Sequence, residues 1–313
     1  MSEPLVFLNG DLLPASRAHL AIYDAGLVFG ATVTEMTRTF SHQPFRLQDH
    51  LDRLFRSLSS VGFDIGMSRD ELSEVSQKLL AHNAAQIETD DELGLIHFVT
   101  AGEYSRYASS PNQAVRTTPT ICVHTFPLAL HMWAAKIEHG AHLITPQIRH
   151  VPPECYDPQI KNRSRLHYYL AEQEARSVDP DASALLLDLD GNVTETSAAN
   201  FLMVEQGTIV SPPLARTLPG ISRQTVSELA GKLGIPFVER DIALSEALRS
   251  DEALLSSTSY CLLPVTRING TAIGSGQPGP LFARLIDGWS GLVGLDIRRQ
   301  ILCSSGGNSR RGI

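Results

Sequence analysis

The chain is poor in the residues that would make it a disulfide scaffold, a zinc module or a membrane protein. Its 313 residues include only four cysteines, Cys122, Cys155, Cys261 and Cys303, with no CxxC spacing, too sparse for a disulfide framework or a metal site. Reduced thiols and no bound metal are therefore expected. No apolar stretch approaches the ~20 residues of a membrane span. The opening MSEPLVFLNGD has no basic region followed by an apolar core, so a cytoplasmic location is expected. Positive charge is also short, with 26 lysines and arginines against 34 acids and a net charge of −8. That balance argues against nucleic acid or an anionic membrane as the main partner, since either needs clustered cations. There is no internal repeat, and the only low-complexity stretch is the tail at 304–313, small and polar enough to be disordered.

What is present is an ordinary globular composition, 42% hydrophobic and 19% charged, long enough for two substantial cores. The pattern predicts an α+β chain: a small N-terminal α/β domain over 1–126, a connection at 127–135, and a larger β-rich domain with flanking helices over 136–303. In the first, VFLNGDLLP carries an Asn-Gly turn, and 18–23 reads as a second strand that 24–38 continues. TVTEMTRTF is a β-branched strand. A helix over 47–61 lines up Leu47, Leu51, Leu54 and Leu58, with His50, Arg53 and Ser57 along a neighbouring edge. Ser68 to Glu71 is a capping box opening a second helix, and LGLIHFVTAG and TPTICVHTFPL are apolar strands. In the second domain, 141–154 reads as strands, FLMVEQGTIVSPP as a hairpin turning at Gly207, and Gly220 as the start of a helix whose first amides are free to meet an anion.

The chemistry concentrates between Pro158 and Phe201. Lys161 is the only lysine between Lys136 and Lys232 and stands at a strand-to-helix junction, ahead of an amphipathic run through Leu166, Tyr169 and Leu170. Downstream, SALLLDLDGNVTET reads as a strand, an Asp190-Gly191 turn and a returning strand, so Glu195 projects from a sheet. A held lysine and a held carboxylate suit pyridoxal 5'-phosphate chemistry, where lysine anchors the cofactor and an acid pairs with the pyridine nitrogen. The bland alternative for each is a solvated surface residue.

The motifs NGDLLP, DAGLVFGATVTEMTR, LQDHLDRLFRS, IKNRSRL, DLDGNVTETSAANFLMV, SPPLARTLPGISR, DEALLSSTSYCLLPV and IGSGQPGP span most of residues 8–280. Together they resemble the fold type IV, class IV aminotransferases, a family that includes branched-chain and D-amino-acid aminotransferases and aminodeoxychorismate lyase. The resemblance implies a pyridoxal-phosphate enzyme in which Lys161 is the catalytic lysine and Glu195 partners the ring nitrogen. It also implies that Arg53, the amides of Ile221 and Ser222, and Thr258 hold the phosphate. Lys161 would then move the proton between substrate Cα and cofactor, its amine kept neutral by burial and nearby cations. His97, His124 and His167 are rivals for acid-base work. An amino acid and a 2-oxo acid are the implied partners, and a homodimer the implied assembly.

Departures from the family pattern bear on substrate. Thr34 stands where branched-chain enzymes have an aromatic wall residue, and their arginine near Ile96-His97 is missing. Leu166 stands five residues after Lys161, as in D-amino-acid enzymes. Arg106 matches their substrate-carboxylate arginine, but Ala108 replaces the histidine that follows it. Ser257 and Ser259 flank Thr258 and are expected to reach the substrate carboxylate. An aminotransferase is the leading expectation; a lyase on the same cofactor and a catalytically silent scaffold are the alternatives.

Overall fold

The computed structural model describes residues 3–108 and 115–304. The chain divides into two compact units, Met1–Leu128 with Ile160–Ser164, and Ala129–Gln159 with Arg165–Ile313. The short piece containing Lys161 thus groups with the N-terminal unit.

In the first unit Asn9 and Gly10, at φ 54° and 103°, turn strand β1 (Leu5–Leu8) back into β2 (Asp11–Pro14). Two consecutive left-handed residues are what a two-residue hairpin loop requires, and Asn-Gly supplies them at least cost. Residues 18–23 are not a strand, contrary to expectation. Asp24 next caps a short helix, α1 (Ala25–Val28), accepting from the Gly26 amide at 2.7 Å. Its buried carboxylate also takes the hydroxyls of Thr100 and Thr120. That anchor forces the backbone to turn at 24, so the chain cannot run extended through it, and Ile22 is left 80% exposed.

After α1 come β3 (Thr32–Phe40), β4 (Gln43–Pro44), α2 (Leu47–Val61), α3 (Arg69–Ala84), β5 (Leu93–Thr100) and β6 (Thr120–Pro127). The six strands form one antiparallel sheet in the order β2-β1-β6-β5-β3-β4. One face buries Val33, Leu95, Val99 and Val123 against Leu51, Leu54 and Leu58 of α2 and Leu72 and Leu79 of α3. Each such side chain removed from water is worth roughly 1.5–3 kcal/mol. The capping box at Ser68 and Glu71 is present.

The second unit contains α4 (Ala134–His139), β7 (Ala141–Ile144), α5 (Leu166–Val178), β8 (Ser183–Leu187), β9 (Val193–Thr196), β10 (Asn200–Glu205), β11 (Thr208–Ser211), α6 (Ile221–Lys232), β12 (Phe237–Glu239), α7 (Leu244–Ala247), β13 (Glu252–Ser257), β14 (Cys261–Ile268), β15 (Thr271–Ala272), α8 (Pro280–Val293) and α9 (Ile297–Ser304). The strand path β12-β11-β10-β13-β14-β7-β8-β9 returns on itself, because β9 also pairs with β10. Six strands therefore close into a barrel. The residues that make the closing pair are Glu195 and Asn200.

Two local expectations fail here. Only 141–144 of the stretch 141–154 is a strand; Pro146, Pro152 and Pro153 have no amide to give a ladder. Helix α5 buries Ala171 and Ala175, packed with Ile144, Ala184 and Leu186, while Leu166 is 69% exposed and Tyr169 and Leu170 are exposed too. The small residues face inward because they let the helix lie close on the sheet. The hairpin before Glu195 turns through residues 188–192, the expected Asp190-Gly191 turn included, with Gly191 at φ +88° and Asp188 accepting from the amides of Asp190 and Asn192. Helices α8 and α9 carry no expectation from the sequence. Glu252 nucleates the first of them by accepting from the amides of Leu281 and Phe282. Ser304 closes α9, and the rest of the tail read as disordered lies outside the described residues. No helix among the described residues is long and apolar enough to cross a membrane.

Candidate active site

In the first unit the site is built on β3, whose alternate residues face opposite ways. Glu35 points to the helix side, where α2 presents His50 and Arg53 three residues apart. Arg53 donates from Nε to Glu35 Oε2 at 2.8 Å and from Nη2 to Oε1 at 2.6 Å, a bidentate fork. His50 Nδ1 lies 3.0 Å from the same Oε1. Burial by itself would push the Glu35 carboxyl up, but the charges of Arg53 and His50 and their hydrogen bonds outweigh it and hold it well below the usual carboxylate range. Burial holds the His50 imidazole below its ordinary value, against the pull of Glu35 and with help from the charges of Arg53 and Lys161. Arg53 is 2% exposed, so the reading of it as a solvated surface arginine is excluded.

The Lys161 backbone is fastened to two elements. Its carbonyl accepts from the Thr34 amide at 2.8 Å, and the Arg163 amide donates to the Thr32 carbonyl at 3.1 Å. Between them Asn162 lies opposite Val33 as an antiparallel bridge. The Lys161 amide donates to Ser57 Oγ on α2 at 3.3 Å. Gly30, at φ +66°, leaves room for Ser164, whose hydroxyl donates to the Gly30 carbonyl and would lie 2.9 Å from an added Cβ. Lys161 is therefore part of a fixed rung on β3, not a mobile surface residue. Thr34 donates its hydroxyl to the His97 carbonyl at 3.0 Å. Arg106 is exposed on the turn Ser105–Tyr107.

In the second unit the carboxylate of Glu195 gathers donors from three segments. Tyr168 of α5 donates to Oε1 at 3.0 Å, and Asn200 of β10 donates to Oε2 at 2.9 Å. The Leu218 amide reaches Oε2 at 3.3 Å. His150 Nε2 stands 3.0 Å from the Tyr168 hydroxyl. Burial first, and then the charge of Glu195, push the Tyr168 phenol well above its ordinary value, so it remains a donor. Asn200 also donates to the Leu218 carbonyl, and a Cβ on Gly220 would lie 2.0 Å from Asn200 Oδ1. Gly220 is therefore required for this amide to hold Glu195.

From Gly220 the chain enters α6, which no side chain caps. Its first amides, those of Ile221 and Ser222, have no acceptor inside the helix and the positive end of the dipole behind them. The turn after β13 is tied to the same region, with Ser257 donating to the Ala198 carbonyl at 2.8 Å. Thr258 and Ser259 form that turn, half-buried. Across β9, β10 and β13, Glu195 pairs with Asn200 and Asn200 with Ser256. The buried Ser256 hydroxyl has no partner. An unpartnered hydroxyl in register with a held carboxylate, and helix-start amides that no side chain caps, are groups that a polar ligand can pair with.

The structure thus brings Lys161, Thr34 and the Arg53 helix together in one unit, and Glu195, the start of α6 and the turn at Thr258 in the other. The rival histidines stand on β5, β6 and α5. His97 is buried, its Nε2 2.7 Å from the Ser76 hydroxyl, and burial takes it down to about 4. Burial likewise takes His167 down to about 4 and lowers His124. Sequence reasoning missed Glu35, Tyr168, His150 and Asn200. Glu35 had a signal, being an acid within the otherwise uncharged alternate set Val33, Thr37 and Thr39.

Residues 32–268 match the family model described as amino-transferase class IV. The chain belongs to that family. It is 31% identical to a branched-chain-amino-acid aminotransferase-like protein 1 of Arabidopsis thaliana, over 92% of this chain and 50% of that protein. The chain thus spans about half the length of that relative. It is 31% identical to a D-alanine aminotransferase of Bacillus licheniformis, over 88% of this chain and 92% of that one. Its fold matches that of the Escherichia coli branched-chain amino acid aminotransferase, at a TM-score of 0.84 and 24% identity, over 93% and 95% of the two chains. A second branched-chain amino acid aminotransferase, solved with pyridoxamine 5'-phosphate, matches at a TM-score of 0.82 with the same identity and coverage.

Proposed function

We propose that this protein is a pyridoxal-phosphate-dependent aminotransferase that moves an amino group between an amino acid and a 2-oxo acid. The observation that carries the reading is the Lys161 peptide, hydrogen-bonded to β3 and to Ser57 on α2, which gives a lysine one fixed origin from which to work. The donors that orient the Glu195 carboxylate support the second element, an acid that accepts from an N–H cation.

Lys161 anchors the cofactor covalently and then moves the proton at the substrate Cα. When bound, the cofactor supplies an electron sink for the pair left behind on that carbon. Glu195 accepts the pyridine N–H. Arg53, kept in one orientation by Glu35, holds the phosphate together with the Ile221 and Ser222 amides and Thr258. Thr34, Arg106, Ser257 and Ser259 are the proposed substrate contacts. The protein works as a cytoplasmic homodimer; the exposed apolar residues Ile22, Leu27 and Phe29 support an interface on the first unit.

The test is direct. The purified protein should be yellow, and borohydride should fix the cofactor to the peptide containing Lys161. Separate L-amino acids, D-amino acids and chiral amines should then be tried as donors, with and without 2-oxoglutarate; turnover that requires the oxo acid marks a transaminase, and turnover without it a lyase. Lys161→Ala should lose turnover about a thousandfold or more. A colourless protein that takes up no pyridoxal phosphate would end the reading.

A further inference from the structure

We propose that Arg163 is the residue that receives the substrate's carboxylate, and that it favours amino acids with apolar side chains. This rests on the aminotransferase reading above. The pleat of the sheet sets which way each side chain is sent. Asn162 lies directly opposite Val33, whose side chain belongs to the helix-side core. Residues opposite each other in a ladder share a face, and neighbours alternate. Lys161 and Arg163 are therefore sent to the other face of the sheet, the face of Thr34.

The contacts of Arg163 agree. Its Nε donates to Thr34 Oγ1 at 3.3 Å, and its guanidinium carbon lies 5.1 Å from the centre of the Phe98 ring. Thr34 pairs with Phe98, and Phe98 with Cys122, so this row crosses three strands on one face. The positive charge reaches that row, where it opposes the effect of burial on the Cys122 thiol. Arg163 itself is exposed, while Phe98 beside it and Ile96, two residues before Phe98 on the same face of β5, are half-buried. A cation oriented by a hydroxyl and a ring, next to apolar side chains, is the chemistry that recognises a carboxylate carried on an apolar body.

The spacing also suits one small molecule. Residues two apart in a chain have Cα atoms separated by at most about 6.6 Å, so side chains rooted at 161 and 163 can address the amino and carboxylate ends of the same amino acid.

The experiment compares Arg163→Gln and Arg163→Lys with the parent holoenzyme. The KM for L- or D-leucine, whichever serves as donor, should rise about ten- to a hundredfold relative to that of 1-phenylethylamine, a donor without a carboxylate. The Kd of 4-methylvalerate, an unreactive carboxylate, should rise in step by calorimetry, and Arg163→Lys should recover part of both. An unchanged ratio, or the same selective rise in Arg106→Leu alone, would overturn the assignment. If the parent binds 4-methylvalerate through Arg163 but transfers no amino group, the aminotransferase reading falls and the carboxylate site stands.

Discussion

Glu35 and Glu195 are both buried carboxylates with several donors converging on them, one in each unit, yet they are compensated differently. Glu35 meets a guanidinium in a two-bond fork. Glu195 meets a phenol, a side-chain amide and a backbone amide, with the His150 imidazole 3.5 Å from its Oε1 in place of a guanidinium fork. A cation in contact neutralises a buried acid and makes the pair a fixture of the core. Uncharged donors orient an acid without cancelling its charge, which stays available to a cation from outside. The contrast separates a carboxylate that holds an arginine in place from the one proposed above to hold a ligand.

The largest expected effect tests the first half of that contrast. Glu35→Ala removes the carboxylate that compensates the buried Arg53 charge and should cost about 3–5 kcal/mol of stability in chemical denaturation. Because the folded carboxyl lies well below its ordinary pKa, its stabilisation is complete above that ordinary value. It is lost as pH falls toward the depressed folded value. A loss under about 1 kcal/mol, within the range of exposed pairs, would break the contrast.

The second half predicts the opposite signature. Glu195→Gln should fold with nearly the parent's stability but lose turnover about a hundredfold, the scale of removing one preorganised electrostatic partner. Spectra of the bound cofactor should change while its affinity changes less. A variant that unfolds, or one as active as the parent, would return Glu195 to the structural class.

A pH-dependent effect concerns His97, which lies opposite Glu35 in the ladder of β3 and β5. Its folded pKa is about 4 against an ordinary 6.5, so between those values the unfolded chain takes up a proton that the folded one refuses. Stability should therefore fall as pH drops from 6.5 to 4, by about 1.4 kcal/mol per pH unit from this group. His50 acts in the same direction. His97→Gln should flatten the slope by that amount in thermal melts across this range; an unchanged slope would show that His97 does not carry it.

Much of the fold was legible because its signals are local. The Asn9-Gly10 turn, the stripe of leucines on α2 and the capping box at Ser68 each follow from a few adjacent residues. The misreadings have a common cause. In α5 the periodicity of Leu166, Tyr169 and Leu170 was real, but which face turned inward was decided by how closely β7 and β8 could approach, and alanines allowed the closer fit. Helix α8 was invisible because the group that caps it, Glu252, is 29 residues away from Leu281 in sequence.

The sequence by itself determined the family, the strand that carries Glu195, the helix that carries Arg53 and the isolation of Lys161, since each is written in contiguous motifs. Only the tertiary structure decided that Arg53 is locked to Glu35, that Lys161 is pinned to β3, and that Glu195 and Asn200 close the barrel. Hydrogen bonds and ion pairs between distant segments depend on register and on the depth of burial. Neither quantity exists until the strands have paired and water has left the space between them.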